Sequence, residues 1–322
     1  MKKYFILAAA ALMMAACNND ERENTVAEKY ESNVINLTAQ VAGANAVTRA
    51  GLTIQSAAFD ADEEINVECT PSGGSYANTL DSAIYTTGAA TGEPTTVNAL
   101  TLKDGETPLR WPATGTVNIN AYYPSSMTSA ETSFTVQTDQ SLEAGYKASD
   151  LMYATNIPEQ AKTENNAAVA LTFNHALTKI IVNLTAAANG GLQASDITGC
   201  TVTLSVNKTA AIDHGVATLN TGVYDSSEPA TITMGTGASN AAIIVPQNIT
   251  ASAESKVNFI TVTTAGGHAV TYQLAANTTF AAGHAYIYNL SVGMKAITLQ
   301  SSSITDWTVE TAVDATGNPL EI

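Results

Sequence analysis

Short runs with apolar residues at every second position recur along this chain, and they constrain its fold more than any other feature. Ile35, Leu37, Ala39 and Val41 alternate with Asn36, Thr38 and Gln40. Trp307, Val309, Thr311 and Val313 alternate with Thr308, Glu310, Ala312 and Asp314 near the other end. A period of two puts one set of side chains on one face of an extended strand. Between these ends, Thr-, Val- and Ile-rich runs are broken by Gly, Asn and Pro, while the Leu/Glu/Lys mixture of surface helices is scarce. Strands are expected at 52–59, 64–69, 82–87, 95–102, 116–123 and 133–137. More are expected at 169–173, 177–186, 201–206, 215–219, 230–234, 241–245, 256–263, 270–274, 286–292 and 297–299. A short helical turn is expected around residues 146–152. The chain is read as all-β, built as sandwiches.

A chain of 322 residues has room for two units. The polar stretch IPEQAKTENN, residues 157–166, marks the expected boundary, giving units at 50–165 and 166–322. Charged residues make up 13% of the chain, against about 25% in an average domain, and the net charge is −16. That surface repels nucleic acid and anionic headgroups, which excludes nucleic acid as a partner. Cys69 and Cys200 fall in different expected units and read as buried free thiols.

The N-terminus carries its own instructions. Lys2 and Lys3 precede an apolar run at 4–14, too short for the roughly 20 residues of a membrane-spanning helix. Ala15 and Ala16 then lead into Cys17. Residues 1–16 read as a bacterial lipoprotein signal, with Cys17 lipidated as the new N-terminus and held at a membrane by its lipid. A polar tether follows, then the strand of Ile35, Leu37, Ala39 and Val41. After it, Thr48-Arg49-Ala50-Gly51 places a lone arginine beside a small-residue loop, a favoured setting for proteolytic nicking.

Catalytic signatures are absent from the sequence. His175, His214, His268 and His284 lack metal-ligand spacing. There is no Gly-x-Ser-x-Gly elbow and no phosphate loop. Asp60, Asp62, Glu63 and Glu64 lack the spacing of a calcium loop and read as a solvated acidic turn. Trp111, Tyr122 and Tyr123 read as core and sheet-edge aromatics ahead of a sugar platform. The chain is expected to be non-enzymatic, with no metal and no cofactor.

Six segments then point one way: WPATGTVNINAYYP (111–124), DLMYATN (150–156), LTFNHALTKIIVNL (171–184), IIVPQNI (243–249), FAAGHAYIYNLSV (280–292) and ITDWTV (304–309). In this order they resemble the fimbrillin family, the subunits of type V fimbriae of Bacteroidia. The resemblance implies two tandem transthyretin-like β-sandwiches, export as an outer-membrane lipoprotein, and cleavage by an Arg-specific, trypsin-like protease. Carried onto this chain, the lipidated residue is Cys17 and the scissile bond is Arg49–Ala50.

Removing the 35–41 strand would bare an apolar groove and a sheet edge, which accepts a strand from a neighbour. The tail bearing Trp307, Val309, Thr311, Val313, Leu320 and Ile322 is the expected donor. Its first half could equally be an internal strand of the second sandwich, leaving only Leu320 and Ile322 free. The expected function is a structural subunit that polymerises with other fimbrial subunits and serves surface adhesion. Two alternatives stay open: a tip or accessory adhesin binding a host glycan or protein, and an uncleaved surface lipoprotein such as a fimbrial anchor.

Overall fold

The computed structural model describes residues 33–42, 58–72, 81–91, 97–213, 216–217 and 230–307. Strands dominate these residues, as the alternation predicts. The first set is β1 (Leu37–Val41), β2 (Glu64–Ser72), β3 (Asp81–Thr91), β4 (Val97–Leu102) and β5 (Thr116–Tyr123). Next come β6 (Ser133–Thr135), a five-residue helix α1 (Glu143–Lys147), β7 (Met152–Gln160) and β8 (Val169–His175). The second half contains β9 (Thr178–Ala186), α2 (Ala194–Thr198), β10 (Thr201–Val206), β11 (Thr209–Asp213), β12 (Val216–Ala217) and β13 (Ala230–Thr236). It continues through β14 (Ser239–Ile244), β15 (Gln247–Ile249), β16 (Val257–Thr263), β17 (Ala269–Leu274), β18 (Thr278–Phe280), β19 (His284–Val292) and β20 (Ile297–Asp306). No helix among the described residues is long and apolar enough to cross a membrane.

Seven strands of the first half form one closed sheet in the order β1-β4-β3-β2-β5-β7-β8. The expectation was a two-sheet sandwich, and β1 accounts for the difference. It lies between β4 and β8 and joins the two edges that would otherwise stay apart. Inside sits a core that includes Ile65, Val67, Val117, Ile119, Leu171 and Phe173, all fully buried.

The second half holds two four-stranded sheets, β13-β10-β16-β17 and β14-β9-β19-β20. Inward residues alternate as a half-buried strand requires: Val202, Leu204 and Val206 on β10, and Ile180, Val182 and Leu184 on β9. Residues from both sheets share one core, so the sheets pack face to face.

The change of sheet comes at residues 176–177 and not in the 157–166 segment. β7 runs through Gln160, and β8 pairs with β1 and β7 in the first sheet. The connection after β5 crosses in the opposite direction. Phe134, Val136, Tyr146 and Leu151 belong to the second core, and β6 pairs with β11. Gln140, fully buried, substitutes for a strand there. Its amide donates to Ile243 O at 2.8 Å, and its oxygen accepts from Ile243 N at 2.7 Å.

Both cysteines are free and buried, as expected. Trp111, Tyr122 and Tyr123 are core residues, which removes the aromatic platform. The acidic turn differs from its reading as merely solvated. Lys147 on α1 pairs with Asp60 at 2.6 Å, Glu63 at 2.7 Å and Glu143 at 2.9 Å, while Lys103 pairs with Glu64 at 2.6 Å. Burial by itself would lower the Lys147 pKa, but hydrogen bonds to its three carboxylates raise it above the ordinary lysine range.

Candidate functional site

β1 has an inner and an outer face, and the inner face is apolar. Ile35, Leu37, Ala39 and Val41 are 1–4% exposed and belong to the first core. Asn36, Thr38 and Gln40 face outward, as the period of two requires. The backbone contacts are uneven. β1 runs parallel to β8 over five register positions, from Leu37↔Val169 to Val41↔Phe173. Against β4 it runs antiparallel over only two, Thr38↔Ala99 and Ala39↔Asn98. One strand therefore fills a slot whose two walls are β4 and β8.

Contacts beyond the ladder concentrate at the start of β1. Ile35 N donates to Leu109 O at 2.9 Å, Trp111 N to Asn33 O at 2.8 Å, and Val169 N to Asn36 O at 2.9 Å. Asn166, in the β7–β8 turn at φ +47°, touches the same stretch. Its side-chain amide donates to Val34 O at 3.0 Å, and its main-chain oxygen accepts from Asn36 Nδ2 at 3.0 Å. The Asn166 side-chain oxygen accepts from the Trp111 indole at 2.8 Å. Lys162 Nζ reaches Asn33 Oδ1 at 2.8 Å. At the other end, Ala42 N donates to Phe173 O at 2.8 Å and Gln40 Nε2 to Thr172 Oγ1 at 2.8 Å.

The β4 wall keeps its place through Asn98, which is fully buried. Its side chain accepts from Phe59 N and donates to Phe59 O, both at 3.0 Å, and also donates to Gly88 O at 2.9 Å. The Phe59 ring packs edge-on to Phe173 at 5.0 Å and near Tyr123 at 5.6 Å. Phe59 is therefore fixed to the body by groups outside β1. Asn98 and Asn166 were missed in the sequence. An Asn165-Asn166 pair is a turn signal, but nothing local says what its amide meets.

Trp307 lies elsewhere. Its ring is 1% exposed in the second core and stacks on His175 at 4.1 Å and 1°. His175 Nδ1 in turn lies 2.8 Å from Asp150 Oδ1, and Trp307 N donates to Gly283 O at 2.8 Å. Of the two expectations for Trp307, a free donor face or a place inside the second unit, its burial in its own chain agrees with the second. Val309, Thr311, Val313, Leu320 and Ile322 lie outside the described residues, as do Cys17, Arg49 and Ala50. Among the described residues, no group of three or more His, Cys, Asp or Glu side chains is placed to hold a metal.

Residues 48–307 match the fimbrillin-like family. The chain belongs to that family. Two solved structures show the fold that this fimbrillin-like chain shares. One, a candidate cell adhesion protein from Bacteroides uniformis, aligns with a TM-score of 0.58 and 24% identity over 85% of this chain and 98% of its own. The other, a candidate cell adhesion protein from Bacteroides ovatus, aligns with a TM-score of 0.61 and 19% identity over 86% and 98%. No curated protein matches the sequence. In this fimbrillin-like chain the matched region begins one residue before Arg49 and ends at Trp307. The slot walls lie inside it, and β1 lies just before it.

Proposed function

We propose that this protein is a structural subunit of type V fimbriae, exported as a lipoprotein on Cys17 and built of two transthyretin-like β units. It reaches the outer membrane by its lipid. An Arg-specific, trypsin-like protease then cuts Arg49–Ala50 and frees the strand that precedes the cut. The tail of another subunit takes the vacated slot by donor-strand exchange, and the resulting polymer serves surface adhesion.

The observation that carries this reading is β1 itself. It is the strand that closes the first sheet, it precedes Arg49, and its inward residues Leu37, Ala39 and Val41 are buried, as is Ile35 just ahead of it. Leu37, Ile35 and Val41 each contribute about 1.5–3 kcal/mol by burial, so an empty slot is costly and a new strand is favoured. The acceptor edges also carry backbone groups that need a partner. Phe59 stays fixed by Asn98, which supports a body that keeps its β4 wall after the cut.

The test is limited digestion of the purified chain with an Arg-specific protease, followed by N-terminal sequencing and negative-stain imaging. An N-terminus at Ala50 with filaments is expected. A chain that keeps a lipid-modified Cys17 and never forms filaments would instead be a surface anchor. The donor is tested by deleting residues 308–322, which spares Trp307 and its seat in the second core. Filaments formed by that deletion protein would sink the donor assignment.

A further inference from the structure

We propose that Asn166 is a clasp that recognises whichever strand occupies the slot, through one main-chain and one side-chain contact at the end where Asn33 and Asn36 now lie. This rests on the reading that β1 leaves the slot.

Asn166 meets the occupant with two groups of opposite polarity. Its amide N–H donates to the Val34 carbonyl, a contact any sequence can make. Its own carbonyl accepts from the Asn36 side chain, a contact only a donor-bearing residue can make. The two positions are two apart along the strand, with Ile35 between them, and the Asn36 side chain faces away from the core, opposite Ile35 and Leu37. The clasp is also held from behind. Trp111, 5% exposed, donates its indole N–H to the Asn166 side-chain oxygen, and neither residue belongs to the segment that leaves. Asn166 thus keeps its orientation when the slot empties and presents the same N–H and C=O to the next strand. Its φ of +47° is a conformation that asparagine tolerates better than most residues, which fits a turn built to aim this side chain.

The partner has a defined chemistry. It is an extended segment with apolar residues at alternate positions. On its outward face it carries an amide or hydroxyl side chain two residues after the carbonyl that Asn166 binds. At the other end of the slot, among the described residues, the contacts beyond the ladder are Gln40–Thr172 and the Ala42 amide. A cut at Arg49 frees that end. Displacement therefore starts at Val41 and finishes at the clasp.

The experiment uses the full chain in detergent, cut at Arg49, with mass spectrometry confirming the single cleavage. A fluorescent peptide of residues 33–42 is added in excess, and its uptake and the departure of the native fragment are followed by anisotropy and size exclusion. Three proteins are compared: the parent, Asn166→Gly and Asn36→Asp. Glycine removes the side chain while allowing the positive φ. Aspartate keeps the shape of Asn36 but cannot donate, and it changes only the segment that leaves. Both variants are expected to lose the fragment about fivefold faster than the parent, the equivalent of one modest hydrogen bond. A labelled peptide carrying Asn36→Asp is expected to bind the cut parent about fivefold more weakly. Equal departure rates and equal peptide affinity in all three proteins would overturn the clasp while leaving strand release intact. A fragment that stays in place in every protein, even under excess peptide, would overturn strand release and the clasp with it. Melting of the uncut proteins checks that each variant folds.

Discussion

At the residue scale, the side-chain amides of Asn98, Gln140 and Asn166 do work that strands usually do, since each bonds a distant main chain. Gln140 bonds Ile243 across 103 positions in both directions. Replacing it with alanine leaves a buried N–H and a buried C=O without partners and is expected to cost about 3 kcal/mol, read from urea unfolding. Gly145 is similarly constrained, because a Cβ there would lie 2.0 Å from Asp139 O. Gly145→Ala should cost at least about 1–3 kcal/mol in the same assay, with the α1 turn displaced. Cys69 gives a pH signature. Burial, with Asp81 nearby, pushes its thiol up to about 12 from an ordinary value near 9. The folded chain holds the proton longer than the unfolded chain, so this contribution is complete below pH 9 and is lost as the pH rises toward about 12. Stability should fall across that window, and less steeply in Cys69→Ala.

At the scale of elements, β1 and β20 are opposite cases. β1 is short, with five residues, and its inward face is buried. Leu37→Ala in the uncut chain is expected to cost about 2–4 kcal/mol and to weaken the first core. β20 is an edge strand of ten residues, most of them exposed, and Ile304 is 61% exposed. Ile304→Lys should therefore shift stability by no more than about 0.5 kcal/mol. Alternation in the sequence located most strands, and β5 and β10 have the expected bounds. β7, β11, β15, β18 and α2 were missed, and β11 and α2 show the local reasons. β11 is short and weakly apolar, and its place is set by pairing with β6. α2 is a single turn whose Asp196 caps Gln193 N at 2.7 Å, too little sequence for a periodic signal.

At the scale of the whole molecule, charge opposes assembly. A chain with a net charge of −16 repels its own copies, so filament growth by the cut protein should speed up as salt rises from about 0.05 to 0.5 M. Light scattering reads the rate, and growth that slows with salt would count against assembly limited by like-charge repulsion. The two cores also predict a divided response to the cut. Loss of residues 35–41 removes Ile35, Leu37, Ala39 and Val41 from the first core and none from the second. Calorimetry of the cut chain with an empty slot should show a weakened first transition and a second one little changed.

The sequence by itself determined that this chain is built of strands, which face of each strand turns inward, and that two cysteines stay unpaired. These follow from side-chain period and composition, which act over a few residues. It also placed an apolar strand ahead of a lone arginine. Only the tertiary structure decided that this strand closes a seven-stranded sheet, that β8 belongs with the first core, and that Trp307 is seated on His175. Those outcomes depend on which edges meet, and the partners lie far apart in sequence: Leu37 pairs with Val169, and Asn36 bonds Asn166 across 130 positions. A strand's period states which side is apolar. Its neighbours are chosen by the packing of the whole chain, where burial and backbone hydrogen bonds must be satisfied together.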